Sequence, residues 1–430
     1  MRLQKRHLQL VQEHLAPLQA TAAGLRALPH AGTAFACTQA AWRFYANTQV
    51  TLEKLAQPLL QHARLAVPQA CDAYVLVAHD WSFLHYNAHA AKHDRVALSH
   101  TKDLGYELLT SLALSDRDGA PLAPVCQQLR SQAGVYSTRS GRVLASRSQL
   151  DMLGPVLGHV DGLGLGKPTV HLIDAEADSI GHYRHWARHG RSFLVRADAA
   201  RLVRFEGGEC LLGAVAATLR QRQAFRNVRR VDYHGRPAAQ WVAEAEVVLH
   251  RPAKPHRTDQ PRRTVPGVPL RLRLVVSELR RGDGTLVERW LLLTNVPAAV
   301  PAARVALWYF WRWRIETYFK LVKTAGHQVE HWQQETALAI AKRLLVAGMA
   351  CIVVWALARA QGEPAQSLRR VLVRLSGRQM PWGQSATQPA LLAGLWVLLS
   401  MLDLLEHEDL DEVRRLARWA RPNYTQPDTG

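Results

Sequence analysis

Two short apolar runs that each end in an aspartate constrain this chain more than any other feature. Residues 74–79 precede Asp80, and Thr169–Ile173 precedes Asp174. Such runs are typical of strands buried inside a sheet, and segments of helical periodicity separate them along the chain. This alternation predicts an α/β domain, in which the carboxyl ends of the strands meet at the crevice where sites usually form.

The chain is too long for one ordinary domain, since 430 residues correspond to several. Helical periodicity predicts an N-terminal region over 1–70 and a C-terminal region over 359–430. The α/β core is expected in two parts, 71–199 and 291–358. A β-rich insertion with a basic, proline-rich loop is expected between them, over 200–290.

The charge of the chain favours a polyanionic partner. Lys and Arg number 54 against 35 Asp and Glu, which gives a net charge of +19. A protein this basic usually binds nucleic acid, although a generic basic surface is the alternative.

The five cysteines are far apart in sequence, which argues against a zinc site or a disulfide framework and indicates a reduced, cytoplasmic protein. The longest apolar run, 344–358, is shorter than the roughly 20 residues of a membrane span. It predicts a buried helix and no membrane association.

One segment, 308–323, combines an apolar stripe with a charged face. At about 100° per residue, Tyr309, Arg312, Glu316 and Lys323 share an arc of roughly 60°. The other face is apolar and carries Trp308, Trp311, Ile315, Tyr318, Phe319 and Val322. An ordinary amphipathic helix with an Arg–Glu pair would look the same.

Together, Asp80, Asp174 and Glu316 suggest a metal site. Three carboxylates placed at two strand ends and on one helix face can hold two divalent cations. A set of hard oxygen ligands without thiols or a histidine cluster favours two Mg²⁺ ions, for which Mn²⁺ can substitute. Each aspartate taken alone could equally be a helix cap or a turn residue.

These residues resemble a known family. The spacing Tyr309-x2-Arg312-x3-Glu316-x6-Lys323 resembles the YREK signature of bacterial insertion-sequence DDE transposases of the IS-four family. Three further segments resemble the two aspartate motifs and an N-terminal motif of that family: 78–82 with Tyr86, 174–178, and 42–44 with Asn47. The resemblance covers about residues 40 to 405.

The resemblance implies an RNase H-like core whose second part follows a β-rich insertion. It makes Asp80, Asp174 and Glu316 the catalytic, metal-binding triad. It also implies DNA contacts by four residues, Tyr309, Arg312, Lys323 and Trp290. The tryptophan would stack on a flipped base, and its alternative role is that of a core strand aromatic.

Two departures from the family pattern stand out. The arginine of the second aspartate motif is Ala175 here, which puts one phosphate or carboxylate contact in doubt. The first forty residues lack the family's Gly-Asp-x-Arg stretch, so recognition of transposon ends could differ.

The resemblance implies metal-dependent cut-and-paste transposition by a bacterial, nucleoid-associated enzyme. The N-terminal region would bind terminal inverted repeats, strand transfer would join them to target DNA, and two copies would pair the ends as a homodimer. The apolar segment 391–405 is a candidate dimer surface, and its alternative is packing against 344–357.

Two other functions remain open from the sequence. A transposase derivative that no longer cuts could act as a DNA-binding regulator or inhibitor. A nuclease or Holliday-junction resolvase could share the fold, although the long insertion disfavours it.

Overall fold

The computed structural model describes residues 3–7, 31–145, 149–253, 266–380 and 384–420. The helices named here are α1 (Ala31–Ala46), α2 (Leu52–Ala70), α3 (Gln149–Asp161), α4 (Ile180–Arg188), α5 (Leu212–Gln221), α6 (Ala302–Trp311), α7 (Arg314–Val322), α8 (Ala337–Arg359), α9 (Glu363–Ser376), α10 (Gln388–Leu405) and α11 (Leu410–Ala420).

The strands in the described residues belong to one mixed sheet. They are β1 (Val75–His85), β2 (Val96–Ala97), β3 (Leu104–Ser115), β4 (Pro121–Ser131), β5 (Gly134–Ser137), β6 (Ser140–Leu144), β7 (Thr169–Ile173), β8 (Ser192–Arg196), β9 (Leu202–Phe205), β10 (Gly208–Leu211), β11 (Arg226–Tyr233), β12 (Arg236–Leu249), β13 (Leu270–Arg280) and β14 (Leu286–Thr294).

The middle of the sheet has the strand order β4-β3-β1-β7-β8. β3 is antiparallel to both β1 and β4, whereas β7 runs parallel to β1 and β8 runs parallel to β7. The parallel strands are joined through α3 and α4, as parallel pairs require a crossover. This arrangement is RNase H-like, so the predicted fold class, an α/β core with a mixed sheet and helices, is confirmed.

The β-rich segment expected over 200–290 contains strands β9 to β13 and most of β14, and it continues the same sheet. β14 pairs antiparallel with β8, and β13, β12 and β9 follow outward. β9, β10, β11 and the helix α5 were not predicted individually from the sequence. The basic loop expected at 251–263 lies mostly outside the described residues.

Apolar side chains fill both faces of the sheet. The larger cluster joins α2, α6, α7 and α8 to one face. A second cluster lies on the other face, where Trp186 and Phe193 are fully buried against α5 and the outer strands. Because apolar clusters cover both faces of the sheet, strands such as β7 and β8 are apolar along nearly their whole length.

The helix α8 lies in the core. It is long and apolar enough to cross a membrane by length and composition, but 83% of its most apolar window is buried inside the protein. The buried Lys342 donates from Nζ to the carbonyl oxygens of Tyr45 and Asn47, which ties the end of α1 to α8. The prediction of a buried helix over 344–358 is confirmed.

The helix α10 is only half packed. Leu391, Leu392 and Leu395 are buried near α8 and α9. Met401 and Leu402, in the second half, are 47% and 49% exposed. The alternative expected for 391–405, packing within its own chain, therefore describes the first half, and the second half remains an apolar surface.

The N-terminal predictions are only partly covered. The apolar periodicity of residues 8–18 lies outside the described residues. Within the 42–47 motif, Phe44 is buried in the main core, and the Asn47 side chain accepts a hydrogen bond from the amide of Gln49.

Close packing of α9 against α10 requires a glycine at position 394. A Cβ atom there would lie 1.9 Å from the carbonyl oxygen of Leu372. We expect Gly394→Ala to lower the free energy of unfolding by about 1–3 kcal/mol, the usual cost of overpacking, despite the better helix propensity of alanine. Chemical denaturation measures the change.

Gly282 provides the control, because a Cβ atom there meets nothing within 4 Å. Gly282→Ala should leave the free energy of unfolding nearly unchanged. Equal effects of the two substitutions would show that the α9–α10 contact is not tight.

Candidate active site

Two aspartates and an arginine lie in one row across three neighbouring parallel strands. His79 pairs with Ile173, and Ile173 pairs with Val195. The next residue on each strand is Asp80, Asp174 and Arg196 respectively, so these three side chains lie on one face of the sheet. The row marks the point where parallel pairing between β1 and β7 stops.

The position of Asp80 corrects one expectation. The sequence placed it at the end of a strand, but β1 continues to His85 because its antiparallel partner β3 extends that far. In the pairing of β1 with β3, Asp80 is therefore a mid-strand residue. In the pairing of β1 with β7, it follows the last pair, because β7 stops at Ile173.

Arg312 joins the two aspartates. Its Nη1 donates to Oδ2 of Asp80 at 2.8 Å, and its Nη2 lies 2.9 Å from Oδ2 of Asp174. The arginine side chain is only 4% exposed. One buried guanidinium thus bridges both carboxylates with its two terminal nitrogens, an arrangement that is stronger than a single neutral hydrogen bond.

The helix that carries Arg312 is interrupted at that residue. The sequence predicted one continuous helix over 308–323, which is wrong: α6 ends at Trp311 and α7 begins at Arg314. The amides of Arg312 and Ile315 donate to carbonyl oxygens three residues earlier, which tightens the backbone between the helices. The expected apolar face is nevertheless buried throughout.

Glu316 meets the row from α7, where its carboxyl is hydrogen-bonded to Asp80. Burial and the Asp80 charge and hydrogen bond raise the pKa of Glu316 to about 7. A proton shared between the two carboxyls relieves the repulsion that two neighbouring negative charges would suffer.

The ion pairs act on the other groups in opposite directions. Burial would raise the pKa of Asp174, but Arg312, the amide of Ala175 and Arg196 lower it. Burial likewise opposes the charge on Arg312, yet Tyr309 and the surrounding carboxylates raise its pKa above the usual value. Asp174 and Arg312 are therefore both charged at neutral pH.

Tyr309 belongs to the site, whereas Trp290 lies beneath it. The Tyr309 hydroxyl donates to Oδ1 of Asp174 at 3.2 Å. Trp290 is 2% exposed and packs edge-on against Tyr309, with ring centroids 5.5 Å apart. Trp290 is therefore a core strand aromatic, the alternative stated for it, and it has no exposed ring face for a base.

Lys323 pairs with groups other than Asp80, Asp174 and Glu316. Its Nζ donates to the carbonyl oxygen of Phe83 at 2.6 Å and lies 3.1 Å from Oε1 of Glu330. The residue caps α7 rather than continuing a straight helix, so the shared face predicted for the four YREK residues holds for Tyr309, Arg312 and Glu316 only.

Two further charged residues of this region were not predicted as site residues from the sequence. Arg196 donates from Nε to Oδ1 of Asp174 at 2.6 Å, and its side chain is 39% exposed. Glu176 lies near both aspartates; burial raises its pKa, and the charges of Asp80 and Asp174 add to the effect. The available signal for Arg196 was a positive charge at the end of the short apolar run Ser192–Arg196.

A buried hydrogen-bond chain lies on the opposite face of the same strands. His79 contacts Ser111 Oγ through Nδ1 and His171 Nδ1 through Nε2, both at 2.9 Å. His171 Nε2 contacts Asp161, which also pairs with Arg191. These bonds link β3, β1, β7 and α3, and they fix the register on which the aspartate row depends.

The donor chemistry of the site fits magnesium, because Asp80, Asp174 and Glu316 supply hard carboxylate oxygens. As the side chains stand, however, they surround Arg312 instead of a common point. No three His, Cys, Asp or Glu side chains among the described residues are grouped as a metal site.

Comparison with solved structures gives a distant likeness. No family model matches the sequence, and no curated protein matches it. A solved structure of a piggyBac transposase synaptic complex with hairpin DNA is similar with 10% identity and a TM-score of 0.35. The match covers 84% of this chain and 59% of that one, so the chain spans about three fifths of that transposase.

The raised pKa of Glu316 has a consequence for stability. The folded chain binds this proton more tightly than the unfolded chain, whose carboxyl keeps a pKa near 4.5. The resulting stabilisation is fully present below about pH 4.5 and is lost as the pH rises through about 7. Glu316→Gln removes this titration.

We therefore expect the difference in melting temperature between the wild type and Glu316→Gln to change between pH 4.5 and 8. The melting temperature of the wild type should fall relative to that of the variant as the pH rises. Thermal denaturation in a chelator measures it. Parallel curves for the two proteins would contradict the raised pKa.

Proposed function

We propose that this chain is a DNA transposase of the DDE type, related to the IS-four family. The observation that carries the proposal is the row of Asp80 and Asp174 on adjacent parallel strands, faced by Glu316 from α7. Carboxylates from three separate segments meet at the edge of the sheet where sites of α/β proteins usually lie.

The triad would hold two Mg²⁺ ions, or Mn²⁺ in their place, through Asp80, Asp174 and Glu316. Such ions supply charge neutralisation to both the attacking and the leaving oxygen of a phosphodiester. Holding them requires Glu316 to release its proton and Arg312 to give up its place between the aspartates.

Arg312 is suited to bind phosphate once it leaves the aspartates. Its Nε is buried and has no hydrogen-bond partner among the described residues. A buried donor without an acceptor is costly, so an anionic oxygen at this position would be favourable. Arg196, which already reaches the site, would bind a second phosphate oxygen and so replace the contact put in doubt by Ala175.

The proposed reaction is cut-and-paste transposition in the bacterial cytoplasm, at the nucleoid. The net charge of +19 suits the DNA of the terminal inverted repeats and of the target. Pairing two ends requires two protein copies, and the exposed apolar half of α10 is the candidate surface for a homodimer.

A DNA-binding regulator that no longer cuts is the second candidate. It would keep the basic surface and the homodimer but would not need three carboxylates around one arginine. A plain nuclease is the third candidate, and it would cut DNA without joining the cut end to a target.

The decisive experiment is cleavage of DNA carrying the inverted repeats that flank the gene. We expect Asp80→Asn, Asp174→Asn and Glu316→Gln each to abolish cleavage, because each removes an oxygen ligand. Cleavage should require Mg²⁺ or Mn²⁺ and stop in excess chelator. Joining of cut ends to a target plasmid separates a transposase from a nuclease.

Glu246→Gln is the control, because Glu246 is an exposed carboxylate whose ion pair within the described part of the chain is with Arg271. It should cut like the wild type. Cleavage that persists in chelator, or that survives all three triad substitutions, would rule out the proposal. Binding of the repeats without any cleavage would favour the regulator.

The role of Lys323 is tested by the two members of its ion pair. If Lys323 binds DNA phosphate, Lys323→Ala should slow cleavage roughly 10- to 100-fold, as expected for a lost hydrogen bond to a charged group. Glu330→Gln removes the ion pair but keeps the hydrogen bond of Lys323 to Phe83, and it should leave cleavage near normal. Melting temperatures of both variants separate folding from chemistry.

Equal losses of cleavage and of melting temperature in the two variants would instead mean that Lys323 only holds α7 to β1.

A further inference from the structure

Three arginines share a single buried carboxylate in the outer part of the sheet. Glu278 on β13 is fully buried and is paired with Arg220 of α5, with Arg280 and with Arg289 of β14. Arg280 donates from Nε at 3.0 Å and from Nη2 at 2.6 Å to one oxygen, and Arg289 donates from Nε to the other at 2.8 Å. We call these four residues the Glu278 cluster.

The Glu278 cluster carries an excess of positive charge. Three guanidiniums against one carboxylate leave two positive charges without a counterion in the cluster. The pKa of Glu278 is lowered by the arginines although burial opposes this, so the carboxylate stays ionised. The arginine side chains remain 47%, 22% and 31% exposed for Arg220, Arg280 and Arg289, so solvent or a ligand can reach them.

Neighbouring ion pairs of the same region are balanced, which makes the cluster unusual. Arg222, which lies two residues after Arg220, pairs with Glu206. On the sheet, Arg273 pairs with Glu244. Each of these pairs neutralises itself. A structural role alone requires one arginine for Glu278, and the other two add repulsion.

The surrounding residues hold the guanidiniums in place. Arg280 lies over the Trp241 ring at 4.7 Å and over Phe225 at 5.5 Å. The register also places Arg230, which is exposed, on the same face: it pairs with Ala239, which pairs with Arg280. Pre-positioned guanidiniums lose little entropy on binding, and their forks match phosphate oxygens.

The Glu278 cluster is separate from the candidate active site. Side chains alternate along a strand, so Ser277 and Trp290 face α6 and Tyr309, whereas Glu278 faces the second core and α5. Glu278 also lies beyond the end of β8, since β14 pairs with β8 only from Leu292 to Thr294.

We infer that the Glu278 cluster is a binding site for the phosphate backbone of duplex DNA. The inference rests on the proposed function for the choice of DNA over other polyanions. Because phosphate contacts carry no sequence information, the site would add affinity for a duplex of any sequence. It would hold a stretch of DNA along the outer strands, away from the row of Asp80 and Asp174.

The test measures binding of an arbitrary-sequence DNA duplex over a series of salt concentrations, by fluorescence anisotropy. Arg220→Gln is compared with Arg222→Gln, which removes the same charge from the same end of α5 at similar exposure. We expect Arg220→Gln to weaken binding and to lower the log–log salt slope by about 0.9, the value for one lost phosphate contact. Arg222→Gln should change neither by as much.

Melting temperatures show whether each variant folds. If Arg220→Gln does not fold, Arg289→Gln takes its place in the test. Equal salt slopes for the two variants would overturn the inference, and so would an Arg220→Gln protein that melts earlier but binds like Arg222→Gln. Cleavage plays no part in this test. A wild type that binds no duplex would overturn both proposals, whereas equal slopes would overturn only this one.

Discussion

The buried guanidinium of Arg312 is the interaction on which the rest of the candidate site depends. The strand register forces Asp80 and Asp174 side by side, and two half-buried carboxylates on adjacent strands repel each other. Arg312 bridges them, and Arg196 adds a second positive charge from the next strand. Two arginines thus balance two aspartates, which leaves Glu316 without a full counter-charge. Burial and the neighbouring Asp80 therefore raise the pKa of Glu316 to about 7, whereas the arginines lower the pKa of Asp174 although burial opposes this.

The same balance relates the observed site to the proposed one. Divalent cations and Arg312 are competing partners for the same oxygens, so each would displace the other. The short break between α6 and α7 lies at the arginine itself, where two backbone bonds of the three-residue type replace the regular helical ladder. Such a break places Arg312 between the two helices while Glu316 lies on α7, so the two side chains reach Asp80 from separate segments.

Much of the fold could be predicted from the sequence, and the misses have physical causes. β7 and β8 begin and end where the apolar runs do, because both faces of these strands are buried. The end of β1 was wrong because pairing with β3 depends on a distant segment. The helix break was missed because two residues between α6 and α7 hardly alter the spacing of the apolar residues along the segment. Arg196 was overlooked because a charge at a strand end usually faces solvent, and only the register places it beside Asp174.

The pairing of β14 with β8 makes the outer strands a continuation of the core instead of a tethered module. Every hydrogen bond between these two strands lies within a few residues of Arg196 and the aspartate row. A load applied to the outer strands, such as the pull of a bent duplex, would reach the row through the backbone ladder without crossing a flexible linker. Evolution is constrained by the same feature: a chain that lost these strands would expose β8 as a bare edge, open to pairing with other chains.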